Sequence, residues 1–238
     1  MAARPSTESE PRGIGPDRIT AVVIGTRGPD EIWVGTEPSR IYWSTDAGET
    51  WTEKSGLTDL PSASEWSFPP RPHTHHVRWI EPDPYDPEHL YVGIEAGALV
   101  QTHDSGVSWA KPQDGLEHRY CWSVAVDPAD PDCILLSAAS GSRPAHSPAA
   151  AESYVYRRRN AKRWRRLDGP GLPMGEGVVR AELAAGATGG TFYAATNNDL
   201  YRTADQDDSW TAVDSTWDDA LTTQTPQGLA VVSDTVGA

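Results

Sequence analysis

Apolar and polar residues alternate along this chain in short runs cut by turn-forming clusters, and the same order of runs returns four times. In the first unit Ile19 to Gly25 is a β-branched run, Thr26 to Glu31 supplies Gly-Pro-Asp turn chemistry, and Ile32 to Thr36, Arg40 to Ser44 and a run opening at Trp51 follow. The second unit reads His76 to Ile80, a Pro-Asp-Pro-Tyr-Asp-Pro turn, His89 to Ile94, Ala98 to Thr102 and Trp109 onward. The third reads Cys121 to Val126, Cys133 to Ala138, Tyr154 to Arg157 and Trp164 to Leu167, and the fourth Val178 to Ala184, Thr191 to Ala195, Asp199 to Thr203 and Trp210 to Val213. Runs of this length and period predict strands, with Gly, Pro and Asp marking the reversals. No stretch sustains a helical period, so very little helix is expected. A last apolar run, Gln227 to Val232, predicts one trailing strand.

One phrase joins the third and fourth runs of a unit. Ser44-Thr45-Asp46-Ala47-Gly48-Glu49-Thr50-Trp51 returns as Thr102-His103-Asp104-Ser105-Gly106-Val107-Ser108-Trp109, and in weaker form from Thr203 through Asp205 and Ser209 to Trp210. Repetition every ~40–60 residues marks a repeat architecture. Four strands per repeat predict an all-β propeller of four-stranded antiparallel blades. The blades fall at 17–58, 73–115, 118–170 and 176–215 within one domain, 17–238, preceded by a polar tail, 1–16. Closure stays open: the trailing strand could join the first blade, a fifth blade could form with the tail, or an open arc could dimerise.

The phrase reads as scaffold. Gly48 and Gly106 supply a positive φ, Asp46, Asp104 and Asp205 accept backbone N–H groups, and Ser44, Thr50, Thr102, Ser108, Thr203 and Ser209 add hydroxyl bonds. Trp51, Trp109 and Trp210 would plug the gaps between neighbouring sheets. In the third unit only Trp164 survives, beside a basic run from Arg157 to Arg166 that reads as charge protecting an edge strand.

Composition narrows the partners. With 20 basic and 34 acidic residues the 238-residue chain carries a formal charge of −14, so nucleic acid, which needs a basic stripe, is not an expected partner. No apolar run reaches the ~18 residues of a membrane span, and the polar start, Met1 to Asp17, is no secretory signal. Cys121 and Cys133 are too few for a disulfide framework and read as buried thiols of a cytoplasmic protein. The lysine-poor acidic surface suits a high-salt interior, and a GC-rich genome would produce much the same bias.

The phrase S/T-x-D-x-G-x-S/T-W resembles the Asp box, or BNR repeat, of sialidase-like and related β-propellers. Leu60-Pro61-Ser62 with Trp66, His76-Val77-Arg78, Tyr91-Val92-Gly93-Ile94-Glu95 and His118-Arg119-Tyr120 are similar to stretches of bacterial and archaeal WD40/YVTN/BNR-like repeat proteins that often carry a glycosyl hydrolase label. The resemblance covers about Asp17 to Trp217 and implies a propeller that serves as a binding scaffold for a small molecule, glycan or protein. Photosystem II assembly factors of the same repeat type act in that way. The alternative it implies is a glycoside hydrolase.

Antiparallel order puts the turn phrases on one face and a candidate binding mouth on the other, formed by the loops that enter each blade and those joining its second and third strands. His73, His75, His76 and Arg78 enter the second blade, His118, Arg119 and Tyr120 the third, and Arg180 the fourth, while Glu37, Glu95 and Asn197 occupy matching second-to-third-strand turns. These residues, Asn197 apart, are the candidate ligand-binding set. The histidine cluster lacks the cysteine partners and spacing of a zinc site, so no metal or cofactor is expected. In sialidases a tyrosine nucleophile works with a glutamate. Tyr120 with Glu95, Glu37 or Glu117 could fill those roles, with Arg78, Arg119 and Arg180 at equivalent places to grip a carboxylate.

Overall fold

A computed structural model describes residues 13–15, 18–168, 170–206, 209–214 and 217–232. Most of the expected polar tail therefore lies outside the described residues. Four antiparallel sheets follow one another in chain order. The first blade holds β1 (Arg18–Ile24), β2 (Ile32–Glu37), β3 (Ile41–Ser44) and β4 (Thr52–Lys54), and the second β5 (Val77–Pro82), β6 (Leu90–Ile94) and β7 (Ala98–Thr102). The third holds β8 (Tyr120–Asp127), β9 (Asp130–Ala139), β10 (Glu152–Arg158), β11 (Arg165–Arg166) and the short β12 (Gly175–Glu176), which pairs with β10. The fourth holds β13 (Glu182–Ala185), β14 (Phe192–Ala195), β15 (Leu200–Thr203) and β16 (Thr211–Ala212).

The expected strands are present with two exceptions. The second blade's fourth strand shrinks to a single bridge, Gln101 to Ala110. Residues 227–232 form no strand, so the trailing run adds nothing to the first blade. The long loops carry short 3-10 turns and one helical turn, Ser142–His146. Among the described residues no helix is long and apolar enough to cross a membrane.

The blades pack face to face around three apolar interfaces. Trp33 and Ile41 of the first meet Val77, Val92 and Val100 of the second. Tyr91 and Leu99 of the second meet Cys121, Ile134 and Leu136 of the third. Ala125, Leu135 and Val155 of the third meet Leu183, Phe192 and Tyr201 of the fourth. Sheets sandwiched on both faces lose their polar alternation: every residue of β6 and β8 is buried. Strand β1 keeps its alternation because one face of its blade has no neighbouring blade, leaving Ile19, Val22 and Ile24 more than half exposed. The inner strands contact in the order β1, β5, β8, β13, with no comparable contact closing β13 onto β1. The architecture is an all-β, open arc of a β-propeller. Close approach of its inner strands needs Gly35, where a Cβ would lie 2.3 Å from Val77 Cγ1.

The recurrent phrase folds as one turn three times. Asp46 accepts from Thr50 N–H at 2.9 Å and pairs with the Ser44 hydroxyl at 2.7 Å, and Gly48 N–H donates to Ser44 Oγ at 2.9 Å. The matching distances around Asp104 are 2.8, 2.7 and 2.9 Å. Asp205 accepts from Ser209 N–H at 3.0 Å and from the Thr203 hydroxyl at 2.6 Å. Ala47 and Gly48, at φ 57° and 91°, make the left-handed corner, as Ser105 and Gly106 do at 54° and 82°. Each turn docks on the first-to-second-strand turn of its own blade, through Ala47 N–H to Asp30 O, Ser105 N–H to Glu88 O and Gln206 N–H to Gly190 O, all at 2.9 Å. One rim therefore carries both kinds of turn, and the opposite rim is the mouth.

The tryptophans divide by neighbour. Trp109, Trp164 and Trp210 each pack into the interface with the preceding blade. Trp51 joins none of these clusters, because its blade has no preceding neighbour, so it does not plug a gap as expected. The basic run of the third unit also does more than guard an edge. Arg158 is buried between the second and third blades, its guanidinium 5.9 Å from the Tyr91 ring centroid and 5.7 Å from that of Trp164. Asn160 and Ala161, both at φ 50°, replace the recurrent turn there.

Candidate functional site

The mouth side holds an open cleft of about 710 Å³ that runs from the start of β1 to Trp122 of β8. Its walls include Arg18, Glu37, Phe68, Arg71, His76, Arg78, Glu95 and Gln227. The cleft's two glutamates and its histidine, Glu37, Glu95 and His76, were all legible from their places in the loops and turns of the mouth, yet none stands free. Glu37 is clamped by Arg71, whose Nε lies 2.9 Å from Oε1 and whose Nη2 lies 2.5 Å from Oε2. Glu95 is buried, with His76 Nε2 2.8 Å from Oε2 and the Tyr120 hydroxyl donating to Oε1. These partners outweigh burial and hold the Glu95 carboxyl below its ordinary range.

A buried network continues from Glu95. The Tyr120 oxygen also lies 2.9 Å from His146 Nε2, and Arg180 Nε donates to His146 Nδ1 at 3.2 Å. Arg180 Nη1 and Trp122 Nε1 both donate to Glu182 Oε1, at 2.5 and 2.7 Å. Burial, then the positive charges of Arg180 and Arg78, push His146 down to about 4, so it is neutral at pH 7. Burial is also the main reason that Tyr120 is pushed well above its ordinary value and Arg180 down to about 10. The Trp122 ring lies between two guanidiniums, Arg78 at 3.8 Å and Arg180 at 3.6 Å from its centroid.

The other expected residues are placed elsewhere. His73 is exposed, and His75 packs edge-on against Trp66 at 5.5 Å. His76 alone of that cluster turns to Glu95, with Phe68 against its ring while Trp66 holds His75. Among the described residues no group of three or more His, Cys, Asp or Glu could hold a metal ion. His118 stacks on Tyr154 at 4.7 Å, outside the cleft walls, and Arg119 and Glu117 are exposed. The arginine trio is thereby corrected: Trp122 follows the paired Cys121 into the bulge of β8 as Arg78 follows the paired Val77 into that of β5, and Arg78 and Arg180 both lie over the Trp122 ring, so a tryptophan holds the third-blade place assigned to Arg119. Asn197 serves the backbone, accepting from Val179 N–H at 3.0 Å and donating to Gly177 O at 3.0 Å.

Several mouth residues escape a sequence reading. Trp122 and Glu182 could have been found from strand phase, since Glu182 shares a face with Arg180 two residues earlier. Arg71, Phe68 and His146 sit in loops without periodicity. The C-terminal segment was the least legible. Trp217 Nε1 donates to Asn197 O at 3.3 Å, Thr225 Oγ1 to His146 O at 2.9 Å, and Gln227 reaches the cleft wall, so this segment crosses the mouth from the fourth blade toward the first.

No protein-family model matches the chain. An oligoxyloglucan-reducing end-specific xyloglucanase from Emericella nidulans is 32% identical over 81 residues, which is 34% of this chain and 9% of that protein. Among solved structures, an ancestral GH74 enzyme superposes with a TM-score of 0.63 at 16% identity over 87% of this chain and 25% of its own. The GH74 xyloglucanase of Xanthomonas campestris gives 0.58 at 18% identity, covering 81% and 29%. YCF48 from Cyanidioschyzon merolae gives 0.54 at 14% identity, covering 84% and 57%. The chain thus spans about a tenth of that xyloglucanase and under a third of the two GH74 chains. At these identities the structural likeness speaks for the fold.

Proposed function

We propose that this chain is an Asp-box propeller module that binds a glycan in the mouth cleft. The observation that carries the reading is the row of prearranged hydrogen-bonding pairs, Glu37 with Arg71 and Glu95 with His76, along one open wall. A sugar offers vicinal hydroxyls at fixed spacing, and immobilised carboxylate and guanidinium groups can meet them with little further ordering cost. A carboxylate has about four acceptor sites, so pairing with one arginine leaves Glu37 capacity for hydroxyl donors. The partial likeness to an enzyme named for a xyloglucan oligosaccharide supports a saccharide over other small ligands.

Hydrolysis is the second reading, favoured by one contact. The Tyr120 hydroxyl donates to Glu95, an arrangement in which a carboxylate could take the phenolic proton. Against it, a glycosidase that protonates its leaving group needs a carboxylic acid raised toward neutrality, whereas the Glu95 carboxyl is held low.

Thermal melting of the full chain across xyloglucan oligosaccharides and other neutral and acidic glycans tests the binding reading, since a ligand of the folded state raises the melting temperature. A saturable rise, reduced in Glu37→Gln, is the expected outcome. No rise with any glycan at millimolar concentration would sink it. Release of reducing ends, lost in Glu95→Gln, would move the conclusion to hydrolysis.

A further inference from the structure

Among the described residues the Arg78 guanidinium, four-fifths buried at the mouth, has no close counter-charge. Arg78 lines the cleft, and its nearest carboxylate, Glu182, lies 4.0 Å away at the outer limit of an ion pair. That carboxylate is already engaged: Glu182 Oε1 takes Arg180 at 2.5 Å and Trp122 Nε1 at 2.7 Å. The Nε of Arg78 is buried with no hydrogen-bond partner among the described residues. The two carboxylates of the cleft wall are already paired with other residues. Both Glu37 oxygens are held by Arg71, while Glu95 gives one oxygen to Tyr120 and the other to His76. Three arginines, Arg18, Arg71 and Arg78, thus line the cleft against two glutamates, in a chain whose formal charge is −14.

Arg78 is also held in position. Its guanidinium lies 3.8 Å from the centroid of the Trp122 ring, and Arg180 covers that ring at 3.6 Å. A guanidinium fixed over an aromatic ring keeps its fork of N–H donors at a set orientation. The planar group that best matches such a fork is a carboxylate, which takes two parallel N–H bonds.

We propose that Arg78 is the seat for a carboxylate on the bound ligand, so that the glycan class is acidic: an oligosaccharide containing a uronic acid. This rests on the glycan reading above and adds to it the charge of the sugar. The sugar ring would lie along the Glu37–Arg71 and His76–Glu95 wall, and its carboxylate would face Arg78 beside Trp122.

A trisaccharide of galacturonic acid and its methyl ester share one sugar backbone and differ at the carboxyl position, where the ester replaces the charge with a methyl group, and calorimetric titration of the full chain with each is the test. The acid is expected to bind at least about tenfold more tightly than the ester, the scale of one charge-assisted hydrogen-bonded pair. That preference should shrink as salt is raised. Arg78→Gln should bring the acid-to-ester ratio close to one, and Arg78→Lys, which keeps the charge without the fork, should leave an intermediate ratio. Equal wild-type affinities for acid and ester overturn the proposal while leaving the glycan reading standing. Binding of neither compound, together with no binding of neutral glycans, removes both. Acetate that competes as strongly as the trisaccharide would show a bare carboxylate site and overturn the uronic acid assignment. Should Arg78→Gln fail to fold, the wild-type acid-to-ester ratio and its salt dependence still decide the matter.

Discussion

Asp46, Asp104 and Asp205 each do the same work in the same turn, and each carboxyl is held down at about 2 by bonds from its own neighbours. For Asp104 the largest contributor is the Ser108 hydroxyl, followed by Ser108 N–H and the Thr102 hydroxyl. An aspartate free in an unfolded chain titrates near about 3.9. The folded value is therefore the lower one, so the ionised carboxylate adds stability that is fully present above the unfolded value and is lost as pH falls from about 4 through 2. Asp104→Asn should lower the melting temperature at pH 7, and the gap to wild type should narrow as pH falls toward about 2. Thermal scans at a series of pH values check this, and a gap independent of pH would show that the charge is not what matters. Spacing between hydroxyl, carboxylate and glycine disclosed these turns because every bond in them spans only a few residues.

At the level of the element, the fourth-run tryptophans give a graded series. Trp210 and Trp164 are buried in the interface with the preceding blade, and Trp109 packs into its own more shallowly. Truncating a buried tryptophan to alanine typically costs about 3–5 kcal/mol. Trp210→Ala and Trp164→Ala should fall in that range and Trp109→Ala toward its lower end, while Trp51→Ala should cost about 1 kcal/mol or less, as for a residue outside the core. Equilibrium denaturation of the four variants gives the comparison. A Trp51 variant as damaging as Trp210→Ala would mean that another surface covers the first blade in solution. The four tryptophans look alike in sequence, and only the stacking order of the blades separates them. The same holds at the mouth, where the loop entering the second blade and its second-to-third-strand turn disclosed His76, Arg78 and Glu95, but Arg71 and His146 come from loops whose placement depends on what they pack against.

Across the described residues the four blades form an arc with one apolar face left uncovered by a blade. Val22 is 63% exposed on that face, whereas Val100 is fully buried between the first two blades. Val22→Asp should shift the melting temperature by no more than about 2 °C, since a surface change is worth within about 0.5 kcal/mol and 1 kcal/mol moves a domain of this size by about 2–4 °C. Val100→Asp should abolish cooperative unfolding, because a charge buried without a partner cannot be accommodated. A circular dichroism melt of each variant reads the contrast. The amino-acid order by itself determined the strands, the three recurrent turns, the repeat and the rim on which those turns sit, because period-two burial and short-range hydrogen bonding act within a few residues. Tertiary packing alone decided that the arc stays open, that residues 217–227 cross the mouth side while residues 227–232 form no strand, and that Trp122 rather than Arg119 stands between Arg78 and Arg180. Those outcomes depend on contacts between blades dozens of residues apart, which no local pattern encodes.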